Sequence, residues 1–171
     1  VTSSNLAAIN SLLNTTEVTG ATVSNAATLR TLITLYKSVL TAATSGDEAA
    51  ALTQSEYESI GVTGFSTTTA RAAAEVTVLN EVISSFEDNT KVDRINEVVD
   101  IRKAVSALID TVEGKTPAIT KSQLGLLDFT VDAAGVTTDV TDDNLSAIRK
   151  VLADTGIGTD FDTVDTLAKV Q

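Results

Sequence analysis

Apolar residues recur along this chain at intervals of three and four and rarely alternate one by one. Leu6, Ile9, Leu12 and Leu13 share one spacing with Leu145, Ile148, Val151 and Leu152, each set falling three, six and seven residues from its first member. That spacing is one side of a helix, because 3.6 residues complete a turn. Ala73, Val76, Leu79, Val82, Ile83 and Phe86 follow the same period. So do Leu29, Leu32, Ile33, Tyr36, Val39 and Leu40, and Ile95, Val98, Val99, Val105, Leu108 and Ile109. Val164, Leu167 and Val170 begin a further set near the end. Abundant Val and Thr favour strands by propensity, but the three-and-four spacing outweighs them, and the pattern predicts an all-α fold.

The pattern also repeats. Val1–Leu13 and Val140–Leu152 are identical at seven of thirteen positions, among them Asn5/Asn144, Leu6/Leu145, Ala8/Ala147 and Ile9/Ile148. Independently, Thr53-Gln54-Ser55-Glu56-Tyr57 after Leu52 matches Thr120-Lys121-Ser122-Gln123-Leu124 after Ile119, 67 residues further on. The first offset, 139 residues, is close to twice the second, so both point to one unit of about 70 residues. Each unit reads as three helices. The first starts at Thr53 or Thr120, where the Thr caps free backbone N–H groups and Glu56 or Gln123 closes a capping box. A glycine-containing break follows, Gly61-Val62-Thr63-Gly64 or Gly135-Val136-Thr137-Thr138. The second helix begins near Thr2, Ser66 or Thr141. Ser45-Gly46-Asp47-Glu48 and Gly114-Lys115-Thr116-Pro117 read as linkers, the single proline blocking helix continuation between units. The expected architecture is a tandem array of small three-helix bundle modules, the first and last incomplete. It comprises a partial module at 1–48 with helices two and three, a complete one at 49–115, and one at 116–171 truncated in its third helix.

Composition narrows what such an array does. Net charge is −11 with a pI near 4.3, which argues against nucleic acid, since phosphate binding needs clustered Lys and Arg, and against an anionic membrane surface. No apolar run approaches the roughly 20 residues that span a bilayer, so no membrane insertion is expected. With no His and no Cys, the usual zinc, haem and iron–sulfur ligands are missing, as is every His- or Cys-based catalytic apparatus. Thr and Ser number 28 and 14, about a quarter of the chain, which suits a well-hydrated extracellular surface. The first residues show neither an initiator Met nor a signal pattern, so a piece cut from a longer chain is expected.

The order of a first helix, Gly135-Val136-Thr137, a second helix opening Val140-Thr141-Asp142-Asp143-Asn144-Leu145, and Val164-Asp165-Thr166-Leu167 opening a third resembles the small three-helix modules of bacterial surface proteins. It is similar to the helical repeats of very large secreted adhesins, and more distantly to the GA (albumin-binding) modules of Gram-positive cell-wall proteins. The resemblance implies an extracellular, tandemly repeated, non-enzymatic module on the bacterial surface. The units here are longer than a GA module, so albumin binding is not carried over. The expected function is a structural spacer region of a secreted cell-surface adhesin or filament protein. Its partners would be neighbouring modules of the same chain and another surface or host protein. The alternative is a helical module that binds a host or matrix protein through one helix face.

Candidate chemistry is sparse. Asp139, Asp142 and Asp143 cluster before one helix, and Asp160, Asp162 and Asp165 before the next. Carboxylates two or three apart can chelate calcium, and the resemblance to large adhesins adds to that reading. Aspartates at a helix N-terminus also cap amides and complement the dipole, which the sequence favours, and no cofactor is expected. Ser122 beside Lys121 is the nearest approach to a nucleophile and base, but adjacent helical residues point apart, and no enzyme is expected. Asp47-Glu48 and Glu87-Asp88 read as solvated charge pairs, and Tyr36 and Tyr57 as packing residues. Asn14-Thr15-Thr16 and Asn144-Leu145-Ser146 match the glycosylation sequon at a rate near chance in so hydroxyl-rich a chain.

Overall fold

A computed structural model describes residues 5–16, 18–21, 23–46, 51–86, 88–127, 131–132, 137–138 and 140–155. The fold is all-α. Its helices are α1 (Leu6–Leu13), α2 (Ala26–Ser45), α3 (Gln54–Ser59), α4 (Thr69–Ser84), α5 (Ile95–Val112), α6 (Lys121–Leu126) and α7 (Leu145–Thr155). One two-residue ladder interrupts them: β1 (Val131–Asp132) pairs antiparallel with β2 (Thr137–Thr138), Val131 opposite Thr138. The break around Gly135 is therefore flanked by a minimal hairpin ladder, which the helical pattern did not foresee. The third helix expected at Val164, Leu167 and Val170 lies outside the described residues.

Two compact units divide the chain, Val1–Phe65 with Ile83–Val99, and Ser66–Val82 with Asp100–Gln171. In the first unit α2 is the longest element. Asn25 caps it, its Oδ1 accepting from the Thr28 N–H at 2.9 Å, and Gly46 ends it in the left-handed conformation at φ +62°. Its apolar stripe buries Leu32, Tyr36, Val39 and Leu40 as the spacing predicts, with Leu29 and Ile33 half-buried at the margin. Ala8, Ile9 and Leu12 of α1, with Tyr57, Ile60, Val62 and Phe65, complete most of this core. The Tyr36 hydroxyl donates to the Val92 carbonyl at 2.8 Å, so burying it leaves no unsatisfied group. Burial, then Glu97 and Asp93, push its pKa up.

In the second unit the core comes from Val78, Leu79 and Val82 of α4, Ile101, Val105, Leu108 and Ile109 of α5, and Ile119, Leu124 and Leu127 around α6. The predicted face of α4 needs correction in its first half. Ala73 is exposed and Val76 half-buried, while Ala72, Glu75 and Val78 are inside. The helix turns a charged residue inward, and the apolar pattern alone gives no reason to place a carboxylate there. Gly114 ends the α5 segment at φ +71°, and the Thr116–Pro117 peptide is cis. Thr111, buried near the end of α5, donates to the Ala107 carbonyl at 2.8 Å and accepts from the Ile119 N–H at 2.6 Å. That bond fixes the approach to α6 without any backbone ladder.

Candidate functional site

Three helix starts are built from short local devices. At Thr53 the Glu56 carboxylate accepts from the Thr53 N–H at 2.8 Å and from its hydroxyl at 2.7 Å. At Thr120 the N–H donates to Gln123 Oε1 at 2.8 Å, and the Gln123 N–H returns to the Thr120 hydroxyl at 3.2 Å. Both are capping boxes, as expected. A third box stands at Thr141, whose N–H donates to Asn144 Oδ1 at 2.8 Å while the Asn144 N–H donates to the Thr141 hydroxyl at 3.3 Å. The Glu56 carboxyl is held below the usual carboxylate range by its bonds from Thr53.

The cap before α7 is thus Thr141. Asp142 and Asp143 sit exposed in the turn that follows, and Asp142 Oδ1 lies 3.8 Å from Lys121 Nζ. Of the calcium candidates, Asp139, Asp160, Asp162 and Asp165 lie outside the described residues. Among the described residues, no group of three or more carboxylates is placed to hold a metal ion. Lys121 and Ser122 are both exposed on α6. Asp47, Glu48 and Glu87 also lie outside the described residues.

The densest charge cluster is one that sequence reasoning missed. Glu75, 1% exposed, accepts from the Ser66 N–H at 2.8 Å, from Ser106 Oγ at 3.0 Å and from Arg71 Nε at 3.2 Å. The Arg71 guanidinium continues to Asp110 at 2.9 Å and to Glu113, and Lys115 pairs with Glu113 from outside. Burial pulls the Arg71 guanidinium down, but Asp110, Glu113 and Glu75 more than offset it and the pKa rises. Arg102 is buried nearby; burial lowers its pKa and the charge of Glu75 opposes that shift. Three carboxylates therefore converge on a guanidinium where a cation site would need a metal. The arrangement ties the Ser66 approach, α4 and the end of α5 together. The Arg71 and Glu75 spacing of four was visible in the sequence, but nothing marked Glu75 as buried.

Two clefts in the first unit share the wall formed by Ser11 and Asn14. One, of about 680 Å³, runs beside α1 and is closed by Asp93 and Arg94. The other, of about 330 Å³, is bounded by Thr15, Thr63 and Asn96. No family model, curated protein or solved structure matches the chain.

Proposed function

We propose that this chain is a non-enzymatic structural region of a secreted bacterial cell-surface adhesin or filament protein, in which tandem three-helix modules act as a spacer. The observation that carries the reading is the recurrence, 67 residues apart, of one helix-opening device with the same geometry. Thr53 and Thr120 adopt φ −78°, ψ 165° and φ −89°, ψ 161°, each followed by six helical residues and a closing Ile60 or Leu127 near φ −90°. Leu52 and Ile119, Tyr57 and Leu124, and Ile60 and Leu127 are all buried at matching steps. Repeats of this kind gain stability from each unit and its neighbours, and a charge of −11 keeps long arrays soluble and mutually repelling. The mechanism is mechanical spacing, with no chemistry.

Solution X-ray scattering of the chain, with and without millimolar calcium, tests the reading. An end-to-end array of modules each about 25 Å long gives a radius of gyration of about 23 Å or more. A value near 16 Å, that of a single compact domain of this length, would overturn it. Stiffening on calcium addition would assign the aspartates as ligands.

A further inference from the structure

α1 is the one described helix whose sequence, Leu-Ala-Ala-Ile-Asn-Ser-Leu-Leu, holds no charged residue. In a chain with 20% charged residues, a solvated helix face ordinarily carries Lys and Glu. Here that face carries Asn10, Ser11 and, one turn on, Asn14, and it forms the wall shared by the two clefts. Asn96 faces Asn14 across the smaller cleft. Elsewhere in the fold the amides of Asn25 and Asn144 are spent on caps. Those of Asn10, Asn14 and Asn96 make no side-chain bond to another described residue. Each such amide presents two donors and an acceptor.

The charges at the rim cancel. Asp93 Oδ1 lies 4.0 Å from Arg94 Nε, so the concave surface is neutral within a strongly acidic protein. Aliphatic patches flank the amides: Leu13, 37% exposed, and Ala7 beside it. The repeat sharpens the point. In the matching segment of α7 the core identities Ala8/Ala147 and Ile9/Ile148 persist, while Asn10, Ser11 and Asn14 become Arg149, Lys150 and Ala153. Packing requirements therefore do not dictate the amides.

We propose that this cleft is a binding site for a neutral polyhydroxylated ligand, a saccharide. Side-chain amides and the Thr63 and Ser11 hydroxyls match sugar hydroxyls, which also donate and accept, and Leu13 and Ala7 meet the C–H face of a pyranose ring. A free phosphate or a divalent cation finds no net charge there to hold it. This inference stands apart from the spacer reading, because a lone unit could bind and an array could bear the site once.

The test is an amide-detected NMR titration of the whole chain with maltotriose, chitotriose and mannotriose, each to about 10 mM, well above the millimolar affinity that a few hydrogen bonds support. Inositol hexakisphosphate and calcium chloride serve as charged controls. The expected result is movement of the Asn10, Asn14 and Asn96 side-chain resonances with at least one sugar. In the Asn10→Ala/Asn96→Ala variant the dissociation constant should rise about tenfold or more. Both residues are exposed, so the variant keeps the helical circular dichroism of the parent. No response to any of the three sugars overturns the proposal. So does an unchanged affinity in the double variant, or a response confined to the charged controls.

Discussion

α3 and α6 share two of five residues across Thr53–Tyr57 and Thr120–Leu124 and are built alike, whereas α1 and α7 descend from segments identical at seven of thirteen positions and bury different sides. In α1 Leu12 is fully buried and Leu13 is 37% exposed; in α7 Val151 is 62% exposed and Leu152 is buried. The two stripes are turned by one residue, about 100° of helix. A capping box encloses its own donors and acceptors, so it carries its geometry wherever it recurs. An apolar stripe four positions wide offers two edges, and only the neighbouring elements select which one is covered.

The start of α4 should be the most fragile point of this comparison, because it hangs on Glu75 and Arg71 where α7 has its own local box. Arg71→Met leaves Glu75 buried without its cation and should cost about 3–5 kcal/mol, lowering the melting temperature by about 6 °C or more. A melt within a degree or two of the parent would show that Ser66 and Ser106 suffice to hold the carboxylate. The turned stripes predict the next largest contrast. Leu12→Ala should cost about 2–5 kcal/mol, while Val151→Ala, at the same step of the repeat, should change stability by less than about 0.5 kcal/mol. Urea unfolding of the two variants separates them, and equal losses would mean that Val151 is covered.

Thr53→Ala and Thr120→Ala should each cost about 1 kcal/mol, and by nearly the same amount, since the two caps are alike. A cost at only one of them in the same urea series would end the equivalence. The smallest effect is set by pH. The folded pKa of Glu56 is depressed, so its contribution is complete above the ordinary Glu value of about 4.3 and is lost as pH falls through the lower folded value. Gln123 does not titrate. Between pH 5 and about 2, the Thr53 amide resonance should therefore move with Glu56, while the Thr120 amide should hold until global unfolding.

What could be read from the chain followed the reach of the forces involved. Thr53 with Glu56 and Thr120 with Gln123 lie three residues apart and announce themselves, as do the breaks at Gly61 and Gly114, whose positive φ angles suit glycine. The stripes of α2 and α5 were legible because each is long enough for its period to be unambiguous. Glu75 was not, because its burial depends on Arg71, Ser106 and the Ser66 amide together, and three of those bonds span nine residues or more. The orientation of α7 and the cleft beside α1 escaped for the same reason: each is a property of what lies opposite, and a period in one helix says nothing about its neighbour. Asp142 and Asp143 were read as caps, but the hydroxyl of Thr141 takes that place and leaves both carboxylates in solvent.

Thr111 carries a consequence for solvent exchange. Its hydroxyl holds the Ile119 amide within a connection that has no helix or ladder of its own, and both partners are buried. That hydrogen should exchange with deuterated water as slowly as those of the α5 core, because it is released only when the end of α5 itself opens. A single side chain thus extends the protected core past the cis proline and into the segment that leads to α6.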